Sequence, residues 1–429
     1  MKFNILNFAK SIWSFNRSLS GEGNRATLKK IKEIVKKLNI KSIKSGSKCF
    51  DWKIPKEWHV DHAYLIDPNG KKICDFKKNN LHLVGYSAAV DKLINLKELK
   101  KHLHYLKEQP TAIPYVTSYY KKNWGFCISY NEYKKLNKGN YKVIIKSKLF
   151  NGKMDYGELI IRGKSKKEIL LSTNICHPSM ANNEISGISV LTFLAKYLSN
   201  KKNFFTYRII FIPETIGSIF YINKNINILK KNVVAGYVLS CIGDDRSYSF
   251  LPSKYENTLS DKAAQHVFKW NVKKYKKFNW IDRGSDERQF CSPGVDLPIA
   301  SVMRTKHGEY KEYHTSLDKL GSVVTEKGLQ GGYNLIKDII TIIECNFYPL
   351  SITRCEPNLG KRNLYPTTSK KDAYTKEFKY MMEILTWSDG KNSLLDISEK
   401  LDLQLWKLLP IVKRLKLKGV IKLNKYKIN

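Results

Sequence analysis

The sequence predicts an α/β fold: a mostly parallel sheet flanked by helices, with two smaller domains of different character. Three observations predict it. Between residues 146 and 350, short apolar strand-like runs alternate with helical runs, the pattern of a largely parallel sheet. Before that stretch, residues 48–145 consist of short alternating segments split by turns, the signature of a small β-rich domain. After about residue 356 come three helical stretches and one short strand, the outline of a winged helix.

The elements follow in order. Residues 1–45 are expected to be helical, because Leu28, Ile31, Ile34, Val35 and Leu38 recur at helical spacing. In the β-rich segment, Ile66-Asp67-Pro68-Asn69-Gly70 is a hairpin signal, since Asn-Gly readily supplies the positive φ of a tight turn. In the next segment KEILLSTN, RIIFIP, AGYVLS and LPIASVMR read as strands. ISGISVLTFLAKYLSN reads as a helix with Ile188, Leu191, Leu194, Ala195 and Leu198 on one face, and GLQGGYNLIKDIITIIECN closes the segment as another. PNLGKRNLYPTTSKKD reads as a linker, followed by TKEFKYMMEILTWS, SLLDISEKL, a third helix over Leu403–Lys418, and the strand VIKLNKYKI. The expected division is therefore 1–47 (N-terminal part of the core), 48–145 (inserted β-rich domain), 146–352 (α/β core with the site) and 353–429 (linker and winged helix).

Composition excludes several classes. An apolar fraction of 42% with 12% aromatics belongs to a globular chain, not a disordered one. No apolar run reaches the roughly 18 residues needed to span a bilayer. The N-terminal stretch is broken by Lys10, Ser11, Ser14 and Asn16, so no signal peptide is read there and a cytoplasmic location without membrane association is expected. Eight cysteines lack C-x-x-C spacing and are expected to be reduced, buried thiols. The net charge of +38 invites a nucleic-acid reading, but Lys outnumbers Arg 65 to 11 and is spread along the whole chain. Dedicated phosphate readers favour clustered Arg, which argues against nucleic-acid binding as the primary function.

In open α/β sheets, ligands bind beyond the carboxyl ends of strands. KEILLSTN runs into His177, RIIFIP into Glu214, AGYVLS into Asp244, and LPIASVMR, after a loop, into Tyr313 and His314. Two imidazoles and a carboxylate gathered at one sheet edge suit a hydrolytic metal site: neutral His nitrogens ligate zinc, and a separate acid takes a proton from water. The plainer reading of each alone is structural: His177 as a capped surface residue, Glu214 in a salt bridge, His314 packed on Tyr313.

The strings FDWKIPKEW (50–58), NNLHLVGYS (79–87), NICHPSMANNEISG (174–187), PETIGS (213–218), CIGDD (241–245), GSDERQFCSPGVDLP (284–298) and YHTSLD (313–318) resemble the aminopeptidase-like proteins of the zinc-exopeptidase superfamily. They are closest to a bacterial group often encoded in surface-polysaccharide gene clusters. The resemblance covers nearly the whole chain and implies a peptidase-like core, an inserted β domain and a C-terminal winged helix. It implies Glu214 as catalytic base, His177 and His314 as metal ligands, and a zinc cofactor. Of the superfamily's two-zinc pattern, the acid two residues after the first His falls on Ser179 and the bridging Asp on Asn183. The second Glu of a pair falls on Thr215, and a later Asp falls near Ser240. One zinc ion is therefore expected, with Glu184 as third ligand and Asp244, Asp286 and Glu287 as alternatives.

Asn183, Asp244, Asp286, Glu287, Arg288, Arg304 and Tyr313 are the candidate substrate contacts; either arginine could instead form a structural ion pair. The expected function is metal-dependent hydrolysis of an amide bond in a peptide, or in an amide-bearing sugar or metabolite. One rival is a catalytically silent peptidase fold serving binding or regulation. The other is a DNA-binding regulator acting through the tail. The tail lacks Arg and Asn at the reading positions, which favours a protein partner or self-association there.

Overall fold

The computed structural model describes residues 4–365 and 375–427. The chain forms two compact units, Met1–Ser260 with Lys274–Ile336, and Asp261–Lys273 with Lys337–Asn429. No described helix is long and apolar enough to cross a membrane.

The first unit is built on an eight-stranded sheet. Its strands are β1 (Asn39–Lys44), β2 (Lys153–Ile161), β3 (Glu168–Asn174), β4 (Thr206–Ile212), β5 (Val233–Leu239), β6 (Ser249–Leu251), β7 (Lys276–Lys277) and β8 (Ile299–Met303), in spatial order β1-β2-β4-β3-β5-β8-β6-β7. The central run β4-β3-β5-β8 is parallel. β1, β2 and β6 join antiparallel, so the sheet is mixed, with its parallel part at the centre. Every residue of β3 and β4 is buried, as expected of parallel strands covered on both faces, and this is why they read as unbroken apolar runs.

Helices α1 (Ile5–Ile12), α2 (Glu22–Ile34), α3 (Ser186–Ser199) and α4 (Ile216–Asn232) flank it. Helix α3 lies so close to the sheet that a Cβ on Gly187 would meet Leu239 O and Thr173 Oγ1 at 2.4 Å, so only glycine fits there. The sequence expectation of helix throughout 1–45 holds for α1 and α2 but not for β1. That strand is a lysine-rich edge whose burial alternates weakly, and its pairing with β2 is a tertiary event.

One buried ionic cluster sits on this sheet. Arg208 of β4 donates to both carboxylate oxygens of Glu168 (2.6 and 3.0 Å), to Glu158 (3.1 Å) and to the Tyr221 hydroxyl (2.9 Å). Such a cluster satisfies every buried charge only while it is whole.

The inserted region forms a four-stranded antiparallel sheet in the order Lys72–Ile73, Glu57–Ile66, Asn140–Phe150, Val90–Asn95. The expected hairpin is present, with Leu65 opposite Ile73, and Gly70 at φ +78° in its turn. Ala63, Leu65, Tyr141 and Val143 of this sheet share a core with Ile216, Ile219 and Phe220 of α4. Each large apolar side chain buried there stabilises the fold by about 1.5–3 kcal/mol.

In the second unit, helices Lys376–Thr386, Leu394–Lys400 and Leu405–Leu417 are followed by strand Ile421–Asn424, which pairs antiparallel with Tyr348–Ser351. The first two of these helices start on side-chain caps, Thr375 and Ser393, the latter in a reciprocal box with Asp396. Buried His266 joins them, taking the Leu405 N–H on Nε2 (3.1 Å) and meeting Glu399 through Nδ1 (2.7 Å). Of the linker expected at 357–372, residues 366–372 lie outside the described residues. All eight cysteines are free.

Candidate active site

The carboxyl ends of β3, β4, β5 and β8 gather one set of loops. Four of the loop residues are non-glycines at positive φ: Ser179 (+44°), Thr215 (+63°), Cys241 (+49°) and His314 (+56°). Thr215 is the most strained, at φ +63°, ψ −79°, with the Ile216 N–H bonded back to the Glu214 carbonyl at 2.8 Å. This is a γ-turn of the rare, strained hand with Thr215 at its apex, and it bends the chain sharply from β4 into α4 immediately after Glu214. Asp286 holds the turn, accepting from Thr215 N (2.8 Å) and Ser218 Oγ (2.6 Å).

His177 follows β3. Its backbone N–H and its Nδ1 meet the two oxygens of Glu184 at 3.1 and 2.8 Å. Glu184 sits in a single π-helical turn, Ala181–Ile185, that leads into α3; the wide turn places the carboxylate under the ring. With Nδ1 engaged, Nε2 is the nitrogen left facing outward, 3.8 Å from Glu214 Oε2. Burial lowers the His177 pKa, but the negative field around it prevails and holds it above the ordinary histidine value. That field is Glu184's, because burial pushes the neighbouring Cys176 thiol up to about 11 and so keeps it neutral. The same field favours a cation at Nε2.

The ring centroid of His314 lies 5.3 Å from that of His177. Tyr313 stacks on His314 at 3.9 Å, and Tyr115 packs against both imidazoles, at 5.4 and 5.3 Å. His314 Nε2 is buried and has no hydrogen-bond partner among the described residues. Burial and the neighbouring His177 push its pKa down to about 3, so the ring is neutral with a free lone pair. Glu214 Oε1 accepts from Ser285 Oγ at 2.9 Å, leaving Oε2 toward His177. Burial raises the Glu214 pKa against the opposing pull of His177 and Ser285, and 22% of its side chain still reaches solvent.

Zinc bonds imidazole nitrogen at about 2.0–2.1 Å, which puts two rings on one tetrahedral ion roughly 5 Å apart between centroids. The 5.3 Å separation and the orphaned His314 nitrogen agree with that spacing, but no choice of ligand atoms on His177, His314 and Glu214 brings all three within 4.8 Å of one another. Among the described residues, the group whose ligand atoms all lie within 4.8 Å of one another is Cys176, His177 and Glu184. On the Nδ1 side of His177 the bond to Glu184 is already made and the thiol is neutral, whereas Nε2 is unengaged.

The remaining expected residues divide. Tyr313 lies on the site and Asn183 at its margin, where the Asn183 carbonyl accepts from Ser240 Oγ at 2.9 Å. Glu184 meets His177 Nδ1 at 2.8 Å and is grouped with it and Cys176 as a possible ligand. Asp286, whose carboxyl is pushed up to about 8 by burial and the Glu214 charge, braces the turn. Arg288 reaches Thr215 Oγ1 at 2.7 Å and is exposed beside Glu214. Three others do not join the group. Asp244 is taken up by Asn182, Thr305 and Arg246, and Glu287 by Gly284, Ser285 and Ser301. Arg304 bonds the Ser247 carbonyl and lies 3.7 Å over Tyr248.

Sequence reasoning missed Cys176, Tyr115, Ser285, Asp318 and Arg17. Asp318 takes the Asn182 and Asn183 N–H groups (2.8 and 3.1 Å) and the Tyr310 hydroxyl (3.1 Å), fixing the π-helical turn. Buried Arg17 donates to the His177 carbonyl at 3.0 Å. Ser285 and Asp318 were within reach, since both lie in the strings that carry the resemblance. Tyr115 had no local signal.

The family described as "Domain of unknown function (DUF4910)" matches residues 6–346. The chain belongs to this family. A winged helix-turn-helix family matches residues 347–423, in agreement with the three helices and strand of the second unit. A Clostridium acetobutylicum protein described as a candidate polysaccharide-biosynthesis protein with an aminopeptidase-like domain is 42% identical over 397 residues, 92% of this chain and 91% of that protein. The crystal structure of a candidate peptidase from Clostridium acetobutylicum superposes with a TM-score of 0.91 at 40% identity, covering 98% of this chain and 96% of the other. A zinc aminopeptidase from Bacillus subtilis matches in fold alone, with a TM-score of 0.56 at 13% identity, over 79% of this chain and 95% of the other. The peptidase-like fold, the inserted β-rich region and the winged helix are thus those the sequence predicts.

Proposed function

We propose that this protein is a zinc-dependent hydrolase of an amide bond, in a peptide or an amide-bearing sugar or metabolite. The observation that carries the reading is the pair of imidazoles 5.3 Å apart, one with a buried unpartnered nitrogen, beside the Glu214 carboxylate. His177 and His314 would hold the ion through Nε2, with Glu184 orienting His177 from behind. Zinc bound there supplies Lewis acidity, which polarises a carbonyl and acidifies nearby water. Glu214 Oε2 accepts the proton of the attacking water. It returns that proton to the amine nitrogen as the carbon–nitrogen bond breaks. Ser285 keeps Oε1 occupied, so one oxygen does this work. Tyr115 and Tyr313 wall the imidazoles from bulk water. The description of the Clostridium relative supports a substrate from polysaccharide assembly.

The test is metal analysis together with turnover of aminoacyl anilides and N-acetylated sugars by the native protein and Glu214→Gln. About one zinc per chain in both, with turnover reduced about 10²–10⁴-fold in the variant, is expected. Unchanged turnover removes the mechanism. A second reading, a silent peptidase fold, is motivated by the absence of acids at Ser179, Asn183, Thr215 and Ser240, where hydroxyls and an amide bond neighbouring backbone or side-chain groups. Protein that binds no zinc would favour it.

A further inference from the structure

A cavity of about 600 Å³ opens between the N-terminal segment, the loop at residues 76–81 and the loops that follow the two histidines. Ser179 and Ser316, each two residues past one of the two histidines, lie in its wall. Lys10, Lys77, Lys78 and Lys319 surround it, all four exposed, and no Asp or Glu lines it. Asp75, on the same loop as Lys77, is paired with Lys72 at 2.9 Å and does not neutralise the rim. Between the lysines are the half-buried rings of Trp13 and Phe76 and the amides of Asn16 and Asn80. Asn80 Oδ1 is buried without a partner among the described residues. The size lies within the roughly 300–1,000 Å³ typical of small-ligand sites.

Each group answers a different part of one kind of molecule. Lysine ammonium groups are point charges that meet a carboxylate or a phosphate without demanding a planar fork. Flat aromatic faces accept the apolar side of a ring. Side-chain amides both donate to and accept from hydroxyl groups. An acidic peptide would use the charges but leave the ring faces and amides idle.

We infer that this cavity binds an anionic sugar, a saccharide carrying a carboxylate or a phosphate, and so holds the part of the substrate beside the amide to be cut. The binding stands on the cavity alone; its place in the reaction rests on the hydrolase reading above.

The experiment is calorimetric titration of the full-length protein with glucuronate, glucose 1-phosphate and neutral glucose at low salt. The two anionic sugars should bind, with an affinity that falls as salt rises, and glucose at least about tenfold more weakly. Their ratio tells carboxylate from phosphate. The Lys77→Ala/Lys319→Ala variant should weaken anionic-sugar binding about tenfold and leave zinc content unchanged. Lys36→Ala/Lys37→Ala, which removes the same charge at the end of α2 outside the cavity, should leave binding unchanged. Equal binding of glucose, no binding of either anionic sugar, or equal weakening by both lysine pairs would overturn the inference. If anionic sugars bind as described while no zinc is found, the cavity stands and the hydrolase reading falls. If zinc and turnover are present without sugar binding, the reverse holds.

Discussion

Thr215 is a β-branched residue held at φ +63°, ψ −79°, a conformation costing on the order of 1–3 kcal/mol. What keeps it there is external: the Asp286 carboxylate on its N–H, the Ile216 bond to Glu214 O, and Arg288 on its hydroxyl. The strain positions the neighbouring Glu214 side chain, which strand geometry alone would have left along the sheet. Glu184 works in a similar indirect way, through the ring of His177. Glu184→Gln keeps the shape of that contact but removes its charge. Zinc affinity, followed by competition with a chelator, should fall about 10–100-fold, the usual effect of losing the carboxylate behind a ligating histidine. An affinity that does not change would place the ion elsewhere. The sequence could not separate these roles. Glu184 lies seven residues after His177, close enough to serve as ligand or as support, and the 2.8 Å bond to Nδ1 is what favours support.

Strands β3 and β4 were legible because unbroken apolar runs ending in His or Glu leave little else for them to be. Strand β1 was not, because its lysines hide the alternation, and neither was Tyr115, which reaches the imidazoles only through long-range pairing. The Arg208 cluster, hidden inside β2, β3 and β4, carries a pH prediction. Burial alone would raise the Glu158 pKa, but the hydrogen bonds of Lys41 and Tyr221 and the charges of Lys41 and Arg208 outweigh it and hold it below the ordinary glutamate range. A carboxylate with a depressed folded pKa contributes stability that is complete above its unfolded value of about 4.3 and is lost as pH falls through the folded one. Urea midpoints should therefore drop on acidification below about pH 4.3. Arg208→Met should cost about 3–5 kcal/mol at neutral pH, since it strands the buried Glu168 carboxylate and leaves Glu158 only Lys41 and Tyr221, and should flatten that acid limb. A variant as stable as the native chain would show that the cluster contributes nothing.

Across the whole molecule the charge of +38 is a self-repulsion that no local contact cancels. Salt shortens its reach, from about 30 Å at 0.01 M to about 10 Å at 0.1 M. Thermal midpoints should rise over that range, because relieved repulsion outweighs the small loss from exposed ion pairs such as Lys30–Glu33 and Lys101–Glu98. A falling midpoint would mean that the surface pairs dominate. The charge itself was plain in the composition; its lack of a dedicated partner was argued from the Lys-to-Arg ratio, and the structure adds where a local excess gathers.

The stretch around Tyr115 is laced to the loop bearing His314: Tyr115 N to His314 O at 2.9 Å, Ser316 N to Ile113 O at 2.9 Å, and Gln109 Nε2 to Lys311 O at 2.8 Å. One wall of the candidate site is therefore borrowed from the insertion and fastened by a handful of stitches, whereas the floor is woven into the buried sheet. Partial opening draws on the weakest fastenings first. On slow heating, the proposed hydrolysis should fade several degrees before the far-ultraviolet ellipticity collapses, and cooling from that window should restore it in full.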